Sequence, residues 1–189
     1  MTDRFPILKL TKEAQKCVLT QLEIHERIAF SLFSAKAFHA IKSPVTRISG
    51  LDVSISSDVT IHPILSLIGH TLEFWKFQFD DNAVNGQPIP LAVPIRVKVW
   101  KNDGEMVQVL ENIRLNLREW IHHFSMLGGE NFKRIWNLEI KSARFDRGSI
   151  DNTFEGFEIQ KLKLIGPVTV PSLTIEGLEL TNYRVNDNY

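Results

Sequence analysis

The stretch Ala40-Ile41-Lys42-Ser43-Pro44-Val45-Thr46-Arg47-Ile48-Ser49-Gly50-Leu51-Asp52-Val53-Ser54-Ile55 changes its apolar period in the middle. Before Pro44 the apolar residues recur at helical spacing. After it, Val45, Ile48, Leu51, Val53 and Ile55 sit at mostly odd positions, and the last three alternate strictly with polar residues. A period of two sends successive side chains to opposite faces of a strand, so one face is buried. Proline lacks an N–H and pushes its preceding residue away from the helical region, so Pro44 closes what comes before it. The chain therefore reads as two regions: a small helical module over residues 1–45 and a β-rich domain over residues 46–189.

Upstream of this boundary the helical signals are local. Thr11 is a candidate N-cap, and Glu13 and Gln15 follow in the first turns. Ala14, Val18, Leu19 and Leu22 then place an apolar stripe on one helix face. A second helix is expected over about residues 25 to 35, with Ile28, Ala29, Leu32 and Phe33 as its apolar set. A short third segment holds Phe38 and Ile41.

Downstream, short strands recur. Leu72-Glu73-Phe74-Trp75-Lys76-Phe77-Gln78-Phe79 alternates, with a phase slip at Trp75-Lys76 that suggests a bulge. Ile95-Arg96-Val97-Lys98-Val99-Trp100 alternates without a slip, and Lys101-Asn102-Asp103-Gly104 after it is a hairpin turn. Between these strands, residues 82 to 94 contain Asn85-Gly86, Pro88, Pro90 and Pro94 and read as an exposed connection. One long amphipathic helix is expected over Leu117 to Leu127. Its inward set is Leu117, Trp120, Ile121, Phe124 and Leu127, and Gly128-Gly129 ends it. The last third returns to strands that share an L-x-[L/I] core: Leu138-Glu139-Ile140, Leu162-Lys163-Leu164, Leu173-Thr174-Ile175 and Leu178-Glu179-Leu180. Their spacing is too uneven for a regular leucine-rich array, but it suits a short, degenerate solenoid edge of parallel strands. These strands read equally as simple sheet core or as a curved surface that holds a ligand. The fold class is α+β.

Composition narrows the function. Lys+Arg and Asp+Glu both number 22. That balance argues against a protein that works on phosphate backbones, which draws most of its affinity from a basic excess. No polybasic run marks an anionic membrane surface, and no apolar window is long enough to span a bilayer. The one cysteine, Cys17, excludes an intrachain disulfide and fits a reducing compartment, cytoplasm or nucleus. Beside its apolar stripe, Cys17 reads as a small buried or half-buried side chain.

No cofactor, metal or catalytic constellation stands out. His122-His123 are adjacent, so their side chains diverge by about 100° on a helix and do not chelate as an i, i+4 pair does. His62 and His70 lack nearby Cys or carboxylate clusters. Asp80-Asp81 and Asp146…Asp151 read as loop acids. Trp75, Trp100, Trp120 and Trp136 read as core fillers, with a recognition surface as the sharper alternative.

The segment Phe5-Pro6-Ile7-Leu8-Lys9-Leu10-Thr11, followed by Glu13, Val18, Leu22, Glu26, Ile28, Ser31-Leu32-Phe33-Ser34, Lys36 and Ile41-Lys42, resembles an F-box. The form it resembles is the divergent one of the large nematode F-box family, which opens F-P-[L/I]-L-x-L-P and carries an S-L-x-S step in its second helix. The later strands, the helix around Trp120 and the L-x-[L/I] segments are similar to that family's F-box-associated domain, type 2. Thr11 stands where the family usually has proline, Arg27 where it usually has leucine, and Ile24 where it often has proline.

The resemblance implies a non-enzymatic substrate-recognition adaptor of a Skp–cullin–F-box type ubiquitin ligase. The F-box would dock on a Skp-family adaptor, and through it a cullin, while residues 46–189 would hold an unidentified target protein. Three small helices leave apolar surface uncovered, and by position the Skp-binding face falls to Leu8, Leu10, Val18, Leu19, Leu22 and Ile28, with Leu32 and Phe38 packing inside. Each fully buried Leu-sized anchor contributes about 1.5–3 kcal/mol, so about four or five of them offset an association cost of about 4–15 kcal/mol. Thr11 and Arg27 allow a second expectation, a stand-alone interaction domain whose F-box no longer engages the ligase.

Overall fold

The computed structural model describes residues 6–41, 48–65, 75–80, 91, 94, 96–102, 104–128, 134–141, 145–165, 173 and 175–181. A 3-10 turn over Pro6–Lys9 leads into three short helices, α1 (Lys12–Gln21), α2 (Ile24–Ser31) and α3 (Ala35–Ile41). Each begins at a polar side chain that satisfies an otherwise orphaned backbone N–H. Thr11 Oγ1 accepts from Ala14 N, the Glu26 carboxylate accepts from Glu23 N at 2.8 Å, and Ser34 Oγ accepts from Ala37 N at 3.1 Å. The expected second helix over residues 25 to 35 is thus divided: Ser34 starts a new helix, and Phe33 stands 62% exposed in the break.

Eight strands follow: β1 (Ile48–Ile55), β2 (Val59–Leu65), β3 (Trp75–Asp80), β4 (Arg96–Lys101), β5 (Glu105–Glu111), β6 (Arg134–Ile140), β7 (Glu158–Ile165) and β8 (Ile175–Thr181). Helix α4 (Leu117–Leu127) links β5 to β6, and α5 (Arg147–Phe154) links β6 to β7. The strands form one sheet in the order β5-β4-β3-β2-β1-β6-β7-β8. Strands β1 to β5 are an antiparallel meander, whereas β1, β6, β7 and β8 run parallel. The architecture is mixed α+β, as expected.

The parallel half bears out the loose repeat. Leu138, Leu162 and Leu178 occupy one rung, and Ile140, Leu164 and Leu180 the next but one. The side chains of Leu138, Ile140, Leu162 and Leu164 are fully buried. The L-x-[L/I] core is therefore the period-two signal of parallel strands stacked in register. Of Leu173-Thr174-Ile175, Thr174 lies outside the described residues, and Ile175 opens β8 and pairs with Ile159.

In the antiparallel half, Trp75, Phe77 and Phe79 point inward and pair with β4 in unbroken register, so no slip falls at Trp75-Lys76, while Leu72 to Phe74 lie outside the described residues. Irregularities lie instead between Ile48 and Gly50 on β1 and between Val99 and Trp100 on β4. The hairpin turn stands, with Asn102 at φ 51° and Gly104 N donating to Lys101 O. Of the connection over residues 82 to 94, only Leu91 and Pro94 are described. Leu91 is half-buried and Pro94 buried, so the end of that connection packs against the domain.

Helix α4 spans the expected residues and packs Trp120 and Phe124 against Phe77, and Trp120 against Phe79. Gly128 ends α4, but with φ −70° it needs no left-handed freedom. Its requirement is closeness, since a Cβ there would stand 2.5 Å from Ile48 O. Helix α5 replaces an expected loop. Asp146 Oδ1 accepts from Ser149 N at 2.8 Å and caps it, Ile150 and Phe154 pack inward, and Arg147 pairs with Asp151 one turn on.

Candidate functional site: the surface of the helical module

The three short helices dock on the sheet domain through polar and aromatic contacts. His25 stacks on Trp75 at 5.0 Å between ring centroids, and Lys101 reaches over the same indole while pairing with Glu23 at 3.3 Å. Ser31 Oγ lies 2.7 Å from His123 Nε2 on α4. Ser31 Oγ also lies 2.6 Å from Ile28 O, to which its hydroxyl donates when His123 Nε2 is the donor of the pair. The pair is a partly buried link between α2 and α4. Burial among Phe38, Trp120 and Ser31 holds the His123 pKa down at about 4. One continuous apolar core includes Leu19, Ile28, Phe38 and Ile41 of the helices together with the sheet and α4.

That docking sorts the six residues expected on a Skp-facing surface. Leu10 is 41% exposed. Leu8, Val18 and Leu22 are half-buried, and Leu8 and Leu22 pack against the core. Ile28 is fully buried, and Leu19, at 3% exposure, reaches the surface only at the floor of a cleft between the helices. They are corrected to core residues. The physical reason is that their face of α1 and α2 is already covered from within the chain. Phe38 packs inside as expected, while Leu32 is only half-buried. Phe33, expected among the inward residues of its helix, is exposed and is the largest exposed apolar side chain among the described residues of the module. Cys17 is exposed, not buried.

Arg27 stands on α2 where a leucine was the family expectation. Its guanidinium donates to Leu22 O at 2.8 Å and to Thr20 O at 3.0 Å, so it satisfies carbonyls at the C-terminal end of α1. Burial lowers its pKa, and neighbouring Glu26 opposes that shift. Arg27 also forms one wall of a cleft of about 430 Å³ between the helices, which Lys12 and Lys16 line from α1 and Lys36 and His39 from α3.

A second surface lies on the sheet face away from α4. On β3 and β4, Lys76 sits over Trp100, whose Nε1 donates to Gln78 Oε1 at 3.0 Å, and Gln78 Nε2 donates to Asp58 Oδ2 at 2.9 Å. On β1 and β6, Asn137 Nδ2 donates to Asp52 Oδ1 at 2.8 Å. Glu139 gathers Lys141 and Lys163. Its partial burial opposes ionisation, yet hydrogen bonds from the two lysines outweigh it and hold the carboxyl below its ordinary value. Trp136 lies across Gly50 and keeps 39% exposure. Of the four tryptophans, Trp75 and Trp120 are core fillers, Trp100 is half-buried on this open face and Trp136 is partly exposed. Strict alternation marked Trp100 as opposite in face to Val97 and Val99, and that signal was present in the sequence.

Among the described residues no group of three or more His, Cys, Asp or Glu side chains is placed to hold a metal ion, and no helix is long and apolar enough to cross a membrane. His62 is half-buried on β2, whereas His70 and Asp81 lie outside the described residues. Comparison of the chain with protein-family models, with curated proteins and with solved structures finds no match.

Proposed function

We propose that the protein is a two-ended, non-enzymatic adaptor of the cytoplasm or nucleus. Its helical module docks on a Skp-family adaptor, and through it a cullin-based ubiquitin ligase, while its sheet domain holds a target protein. The observation that carries this reading is the apolar surface the module keeps: Leu10 at 41% and Phe33 at 62% exposure, in the turns between helical segments, while the other large apolar side chains described in the module are half-buried or buried. Exposed apolar side chains of this size on a module already docked to its own domain suit a partner. The resemblance of residues 5 to 42 to an F-box supplies the identity of that partner. The open sheet face with Trp100 and Trp136 is the surface proposed for the target, since half-exposed tryptophans are favoured anchors at interfaces.

The burial of Leu19 and Ile28 favours a second reading, a stand-alone interaction domain with a decayed F-box. Calorimetry of the full chain with a Skp-family adaptor separates the two. Binding at micromolar strength or tighter that a Leu10→Asp, Phe33→Asp double variant loses supports the ligase adaptor. Absence of binding by a folded chain overturns it and leaves the stand-alone domain.

A further inference from the structure

Charge is divided unevenly along this neutral chain. Residues 1–42 hold seven Lys and Arg against four Asp and Glu, and the remainder holds 15 against 18. The basic excess of the helices converges on the cleft between α1, α2 and α3. Among the described residues Lys12, Lys16, Arg27, Lys36 and His39 line it, no carboxylate does, and Leu19 and Ile41 contribute an apolar floor.

Glu26 lies near enough to Arg27 to offset part of its charge and Glu13 follows Lys12 on α1, but neither lines the cleft. Glu23 pairs with Lys101 on β4, and Glu26 accepts from Glu23 N in the first turn of α2. Arg27 is a fixed charge, held by its bonds to Thr20 O and Leu22 O. Lys12, Lys16 and Lys36 are exposed, and no ion pair or side-chain hydrogen bond engages them among the described residues. Five cationic or titratable basic groups around one concavity repel one another and raise the local potential, which draws an anion in. The volume of about 430 Å³ falls within the span of small-molecule sites and is far below what a folded partner needs.

We propose that this cleft binds a compact polyanion with an apolar body, a phosphorylated small molecule in which two or more phosphate groups meet Lys12, Lys16 and Lys36 while the body rests on Leu19 and Ile41. The site is independent of the adaptor reading, because it needs neither Leu10 nor Phe33. By bridging α1 and α3 across Arg27, such a ligand would brace the packing of the three helices.

Calorimetry and thermal unfolding of the full chain test it, with inorganic tripolyphosphate as the charge-only probe and a nucleoside triphosphate as the probe with an apolar body. Both bind, the nucleoside triphosphate more tightly, and affinity falls by about tenfold or more between low salt and about 300 mM salt. Lys16→Gln and Lys36→Gln, at exposed positions that leave the fold intact, each weaken binding by about tenfold. Binding that the lysine variants leave unchanged overturns the proposal, as does failure of both probes with the folded chain. Binding only of a glutamate-rich peptide also overturns it, and assigns the cleft to an acidic protein segment instead.

Discussion

The three N-terminal helices and the eight-stranded sheet reach order by different routes. Helices of 10, 8 and 7 residues are too short to persist alone in water, so α1 to α3 rest on their caps and on docking. The sheet, by contrast, pairs each of its six inner strands on both sides and buries Val53, Phe77, Val99, Leu138 and Leu162 in the core. Yet the two regions share one core, through Leu19, Ile28, Phe38, Trp120 and Phe124. The lesson is that a module can look separable in sequence and still take its stability from what it is docked upon.

The strongest way to break this comparison is to hollow the core on each side of the junction. Trp120→Ala, beneath the sheet, should cost about 3–5 kcal/mol, and Ile28→Ala, within the helices, about 2–5 kcal/mol. Denaturant unfolding followed by tryptophan fluorescence and by circular dichroism should give one coincident transition in both variants. Two separate transitions would show that the helices and the sheet unfold independently.

Acid sharpens the comparison, because His123 sits at the junction. Its folded pKa of about 4 lies below the ordinary 6.5. Above pH 6.5 the group is neutral in both states and stability is flat. As the pH falls from about 6.5 towards 4 the unfolded chain takes up a proton that the folded chain refuses, so stability declines, by up to about 3 kcal/mol from this group. Stability measured across that range should fall in the parent chain and flatten over the same interval in a His123→Gln variant.

Two smaller effects separate the regions further. Gly128→Ala forces a methyl group against Ile48 O and should cost about 1–3 kcal/mol, read from the denaturation midpoint. Thr11→Ala removes the cap of α1 and should cost about 1 kcal/mol. The smallest change is expected at the exposed surface. Leu10→Asp and Phe33→Asp should each move stability by no more than about 0.5 kcal/mol while abolishing binding to a Skp-family adaptor.

Legibility in the sequence followed how local each signal was. The Thr11 cap, the span of α4, the hairpin at residues 101–104 and the parallel L-x-[L/I] rungs were readable because caps, turns and periods act within a few residues. Helix α5 was readable too, from Asp146, Ser149, Ile150 and Phe154, but its acids passed as turn residues. The division between α2 and α3 was hidden because Leu32 and Phe33 continue an apolar set across the break that Ser34 makes. Of the six expected partner-facing residues, the sequence located all in the helical module but had no means of telling Leu10 from Ile28.

What the sequence by itself determined is the change of period at Pro44, the span of α4 and the apolar stripes of α1 and of the strands it marked, because backbone hydrogen bonding and side-chain periodicity are set by near neighbours. Only the tertiary structure decided which apolar faces remain at the surface, where the cationic cleft gathers, and that β6 joins β1 to turn an antiparallel meander into a mixed sheet. Hydrophobic burial has no direction of its own, so a stripe becomes core or surface according to what residues far along the chain bring against it.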